Sequence, residues 1–186
     1  MINMLIDELP KEINGIEINS DFRTSILFEL LMQDNEFNSE EKIAQAIELY
    51  YPRPEKILDF EKAIDDILWF YRCGENLEER KKYKKKEKQI YNYEFDDKYI
   101  FSAFMEQYNI NLNKIKYLHW WEFKALFNSL NEDVFFSKIM SYRAMDLSKI
   151  KDSKVKKRYK KLQELYALPD MRTEEEKEND FANEFL

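Results

Sequence analysis

Two glycines, one histidine and one cysteine occur in 186 residues, and each scarcity removes a class of chemistry. Two glycines cannot build a Gly-rich phosphate loop, a dinucleotide fingerprint or the many tight turns of a β sandwich. One histidine and one cysteine exclude Cys/His zinc clusters, an intrachain disulfide and most histidine-based acid–base constellations. No apolar run reaches the roughly 18 residues that a membrane-crossing helix needs. Asp7 and Glu8 interrupt the N-terminus before a basic region or a long apolar stretch forms, so it does not read as a secretory signal. With Cys73 as the single cysteine, this makes the cytoplasm the expected compartment.

What is present can build a core. Hydrophobic residues make up 44% of the chain and aromatic ones 16%, which argues against wholesale disorder. The length suits one ordinary domain or two small ones. Thirty basic residues against 37 acidic ones leave a formal charge of −7, which favours solubility and speaks against a surface that grips nucleic acid all round.

Patterning predicts a mainly α protein with a small N-terminal β hairpin. Ile13, Ile16 and Ile18 flank Asn14-Gly15, a pair suited to a type I′ turn. Ser20 or Asp21 then caps a helix through Gln33, with Phe22, Ile26 and Leu30 on its apolar side. Asn38 or Ser39 caps a second helix, ended by Pro52 and Pro54. A third is expected from near Glu55, with Ile57, Phe60, Ile64, Ile67 and Tyr71 on one face and Gly74 as its left-handed cap. Arg80 to Lys88 is a basic run that reads as a linker or an exposed helix. Helices follow from Asp96, over Tyr117–Leu130, after a capping Asp133 (Phe135, Ile139, Tyr142), and along Val155, Tyr159, Leu162 and Tyr166. The organisation expected is an N-terminal hairpin plus helices over 1–77, a basic linker or exposed helix over 78–95, a C-terminal helical part with the double-tryptophan helix over 96–168, and a mobile acidic tail over 169–186. Two helical sub-lobes joined by the basic run are compatible with it.

The segment Tyr117-Leu118-His119-Trp120-Trp121-Glu122-Phe123 is the most unusual. On a helix, Trp120, Phe123, Phe127 and Leu130 share one side, while Leu118, Trp121 and Ala125 share the other. Such a helix is either central in its own core or shows one face to another chain. His119 lacks a nominated nucleophile or orienting carboxylate, so a satisfied structural histidine is expected. Pro169-Asp170 with Glu175-Glu176-Lys177, and Glu122-Phe123-Lys124, superficially match a Pro-Asp…Glu-x-Lys nuclease pattern but lack the strands that pattern requires. No catalytic residue, metal site or cofactor is expected. The basic runs Arg80–Lys88 and Lys149–Lys161 are ordinary solvated faces or contacts to an acidic partner or phosphates.

The chain resembles the bacteriophage gene-product-fifteen family of tailed phages and prophages of Gram-positive bacteria. The resemblance is carried by Tyr117-Leu118-His119-Trp120-Trp121-Glu122-Phe123-Lys124-Ala125-Leu126 and by Ile139-Met140-Ser141-Tyr142-Arg143-Ala144-Met145-Asp146-Leu147. Phe101 to Leu112, Asp21-Phe22-Arg23-Thr24 and Phe70-Tyr71-Arg72-Cys73-Gly74 add to it. The resemblance implies tail morphogenesis without catalysis, in the host cytoplasm. Such genes typically lie between the major tail protein and the tape-measure gene, which implies a tail assembly chaperone for the tape-measure or tail-tube protein, with a companion chaperone or a homo-oligomer compatible. Trp120, Trp121, Tyr142, Arg143 and Tyr159 are the candidate partner-binding residues. The alternative is a host- or nucleic-acid-directed phage regulator using the basic patches.

Overall fold

The computed structural model describes residues 2–75 and 89–170. Among them a two-stranded hairpin precedes seven α-helices. Strands β1 (Glu12–Ile13) and β2 (Ile16–Glu17) pair antiparallel, with Ile13 opposite Ile16. Asn14 at φ 51° and Gly15 at φ 78° supply the two left-handed residues that this turn requires. So short a hairpin must lean on helices. Ile13 is buried, and Asn14 Nδ2 donates to Asp66 Oδ2 at 2.7 Å.

Helix α1 (Phe22–Gln33) is capped by Asp21, whose side chain accepts from the Arg23 amide. Helix α2 (Ser39–Tyr50) begins with a reciprocal capping box between Asn38 and Glu41. Helix α3 (Phe60–Tyr71) starts five residues later than expected from Glu55. Pro54 opens a separate 3₁₀ turn, Pro54–Lys56, Ile57 leaves it in extended backbone, and Asp59 caps the new helix. The inward face of α3 is consequently Ala63, Ile67 and Phe70, and Phe60 is 59% exposed instead of lining the core.

Helix α4 (Asp97–Tyr108) ends on Asn109 in the left-handed region at φ 54°. Helix α5 (Trp120–Asn128) is shorter than the expected Tyr117–Leu130. Tyr117 to His119 instead run extended against the start of α1, where the Phe22 amide donates to Leu118 O and the Trp120 amide to Ser20 O, each at 2.9 Å. Helix α6 (Phe135–Ala144) is not capped by Asp133, since Val134 takes the cap position without a side-chain bond. Its inward residues are Phe136, Ile139 and Arg143, one step round from the expected face, and Phe135 is left 47% exposed. Helix α7 (Ser153–Leu165) is capped by Asp152 and contains no buried residue.

One hydrophobic cluster runs from Ile13 to Phe136, so stretches 1–77 and 96–168 share a core. α1 packs on α2 and α5, α2 on α3, α4 on α6, and α6 on α7. Asn92 and Tyr93, in the stretch expected as a linker, are buried. The basic run Arg80–Lys88 and residues 171–186 lie outside the described residues. Among the described residues no helix is long and apolar enough to cross a membrane.

Candidate interaction surface

The double tryptophan belongs to the interior. His119 is the N-cap of α5: its Nδ1 accepts from the Trp121 amide at 3.0 Å, and its Nε2 lies 3.0 Å from Pro10 O. An imidazole that accepts at Nδ1 and donates from Nε2 is the neutral tautomer. Burial lowers its pKa from the ordinary histidine value, which keeps that form. Glu122 closes the box by accepting from the His119 amide. The sole histidine thus starts α5 as one half of its capping box.

Both indoles then point at the end of α3. Trp120 Nε1 donates to Tyr71 O and Trp121 Nε1 to Phe70 O, each at 2.8 Å. The last carbonyls of a helix have no intrahelical donor. The two tryptophans supply donors to two of them while burying their rings. Gly74, at φ 79°, follows this end, and a Cβ there would meet Trp121 Cη2 at 3.1 Å. Trp120 stacks on Tyr71 and on Phe123, with ring centroids 5.4 and 5.7 Å apart. Phe123 also stacks on Phe22 and Phe104, at 4.9 Å each. Of the two readings of this helix, a central core element accounts for both tryptophan faces. Trp120 and Trp121 are interior, and neither is exposed to a partner in this conformation.

Arg143 is interior too. Its guanidinium makes a bidentate pair with the buried Asp96, Nη1 to Oδ2 at 2.6 Å and Nη2 to Oδ1 at 2.9 Å. Nη1 also donates to Ile90 O and Nε to Tyr166 O. The planar fork fits a carboxylate in this way where an ammonium cannot. One side chain therefore ties the segment before α4 to α6 and to the end of α7. Sequence inspection missed Asp96 as its partner, since nothing local signals a contact 47 residues away.

Tyr142 and Tyr159 are half-buried and meet across α6 and α7, with centroids 6.2 Å apart. Tyr142 also stacks with Tyr166 at 6.1 Å. Gln163 Nε2 donates to Tyr142 O and Met145 O, satisfying carbonyls at the end of α6. These contacts seat one side of α7. The other side is an open face of Lys154, Lys157, Arg158, Lys161, Leu162 and Leu165, the last 70% exposed. Of the five candidate residues, the structure brings only Tyr142 and Tyr159 together, on the helix pair that carries this face. Of the expected stripe Val155, Tyr159, Leu162 and Tyr166, the two tyrosines are seated against Tyr142, while Leu162 lies on the open face beside Leu165 and Val155 is exposed.

The rest of the surface offers less. A broad cleft by Pro10, Tyr117, His119 and Glu122 holds the imidazole already used in capping. Inside the protein, Tyr71 donates to Glu29, whose carboxyl is pushed up in pKa by burial. Among the described residues no three or more histidine, cysteine or carboxylate side chains gather as a metal site would require.

No curated protein and no solved structure matches the chain. The family model described as Bacteriophage Gp15 protein matches residues 5–168, which takes in the hairpin and the helices through α7. The double-tryptophan helix, the Arg143–Asp96 pair and the exposed face of α7 all lie within that span, and the chain belongs to the bacteriophage Gp15 protein family.

Proposed function

We propose that this phage protein acts without catalysis in tail morphogenesis, as a chaperone that keeps the tape-measure or tail-tube protein soluble in the host cytoplasm. The observation that carries the reading is α7, thirteen residues with no buried side chain, seated by Tyr159, Gln163 and Tyr166. Its open side combines leucines with a row of cations. A long helix-prone client exposes apolar stripes that need cover until tube subunits surround it. Leucines and lysine stems give reversible apolar contact, and the charged heads keep the surface soluble and select acidic segments. Tyr142 and Tyr159 border this surface. A companion chaperone, or a second copy of this chain, would lengthen it.

Co-expression with the tape-measure protein tests the reading. The client is expected in the soluble fraction only when this chain is present. Equal solubility with and without it would remove the proposal. The same cations are what a nucleic-acid-directed regulator would use. Salt-sensitive retention on duplex DNA, lost when the α7 cations are neutralised, would favour that alternative.

A further inference from the structure

The turn that precedes the hairpin holds apolar side chains out in water. The Ile6 and Asp7 amides donate to Asn3 O at 3.1 and 2.8 Å. The Leu5 amide donates to Asn3 Oδ1 at 3.0 Å, and the Asn3 amide to Asp7 Oδ2 at 2.7 Å. These bonds fix the turn, and Ile2 and Leu9 on either side of it pack against the core. Met4, Leu5 and Ile6 are left at its tip, with Leu5 92% and Ile6 81% exposed. Scattered exposed aliphatic residues are ordinary, but three in succession on a hydrogen-bonded turn between two anchors form a knob without a socket. Asp7 and Glu8 follow the knob, and residues 2–10 contain no cation.

Helix α7 has the opposite charge and the matching apolar part. It carries six cations against Glu164 alone. Lys154, Lys157, Arg158 and Lys161 recur at steps of three and four along one side and, with Leu162 and Leu165, line an open recess of about 480 Å³. Two α7 helices cannot cover one another through this face, because like charges would meet. In the structure both the knob and the recess are open, so the turn of the same molecule does not occupy the helix. We infer that the Met4–Ile6 turn of one copy seats on the Arg158–Leu165 end of α7 in a second copy. Leu5 and Ile6 lie on Leu162 and Leu165, and Asp7 and Glu8 meet Arg158 and Lys161. The contact joins unlike surfaces, so one copy lends a turn and the other a helix. It uses part of the face assigned above to a tail component but needs no such component, so either reading can fail while the other stands.

Sedimentation equilibrium of the full chain at low salt tests it. One turn against one helix end is a small, transient interface, so the wild type is expected to be monomeric at about 10 µM and to rise about twofold in weight-average mass by about 500 µM. The variants L5E/I6E and L165E alter only exposed side chains, and their melting temperatures should match the wild type. Each alone is expected to stay monomeric over the whole range. Mixed, they should form one-to-one dimers, since L165E still offers an intact turn and L5E/I6E an intact helix face. Salt at about 0.5 M should weaken the association by screening the carboxylates from the cations. A wild type that is monomeric throughout would overturn the proposal. Association kept by either variant alone would overturn it too, by placing the contact elsewhere, as would a mixture that forms no dimer. A monomeric wild type that still keeps the tape-measure protein soluble would end this inference and leave the functional reading intact.

Discussion

Helices α5 and α7 begin alike and end in opposite places. Each opens on a side-chain cap, His119 in one and Asp152 in the other, and each carries aromatic residues among charged ones. In α5 Trp120, Trp121, Phe123 and Phe127 are buried; in α7 nothing is. The difference lies in what each aromatic group finds to satisfy its polar edge. The indole N–H groups of α5 meet the terminal carbonyls of α3, so large rings enter the core without stranding a donor. The lysines of α7 have no such partner and hold their helix at the surface. Aromatic density thus marks the scaffold, and the open face of α7 is marked by cations beside leucine.

The comparison breaks most visibly at Phe123, against which Phe22, Phe104 and Trp120 all stack. Phe123→Ala should cost about 3–5 kcal/mol in chemical denaturation, because the stacked rings cannot collapse into the vacated space. A loss below about 1 kcal/mol would mean that the core is not organised around this ring. Arg143 is the next probe, at the junction where the scaffold holds α7. Arg143→Met leaves Asp96 buried and unpaired and should cost about 3–5 kcal/mol, while adding Asp96→Leu should restore part of it. Additive losses in the double variant would contradict a coupled pair.

A smaller effect sharpens the role assigned to His119. Its neutral imidazole is held by burial, so the folded-state pKa lies below the unfolded value near 6.5. Between those two values the unfolded chain binds the extra proton, and stability rises with pH. The contribution is complete above about pH 6.5 and is lost as pH falls through the folded-state pKa. His119→Asn keeps a capping oxygen but does not titrate. The wild type should be the more stable by about 1 kcal/mol or less near neutrality, and its advantage should shrink on acidification. A difference that is flat in pH would show that the proton is not linked to the cap. The least effect on stability is expected from K154Q/K157Q/R158Q/K161Q, within about 0.5 kcal/mol of wild type in thermal unfolding. A larger loss would mean that the ridge is part of the scaffold.

Much of the fold was legible because it is written locally. The Asn14-Gly15 turn and the Asn38 cap each depend on a few adjacent residues and formed where the spacing put them, whereas at the end of α3 Cys73, at φ 56°, takes the left-handed position expected of Gly74, which follows it at φ 79°. Where two local signals competed, the reading slipped. Pro54 serves as well at the head of a 3₁₀ turn as at the head of α3, and the stripe from Ile57 could not reveal that Asp59 would restart the helix. Tyr117 and Leu118 look helical, yet their backbone pairs with the start of α1, a contact that only the tertiary fold creates. The candidate surface was harder still. Trp121 and Arg143 are residue types that interfaces favour, but burial against α3 and pairing with Asp96 are long-range facts with no local trace.

The central claim is that α7 offers its cation-and-leucine face to a phage tail component while the aromatic core only supports it. The most direct measurement is the yield of soluble tape-measure protein on co-expression with the wild type, with K154Q/K157Q/R158Q/K161Q and with Leu165→Glu. Both variants should melt like the wild type yet leave the client insoluble. Full rescue of the client by both variants would contradict the account.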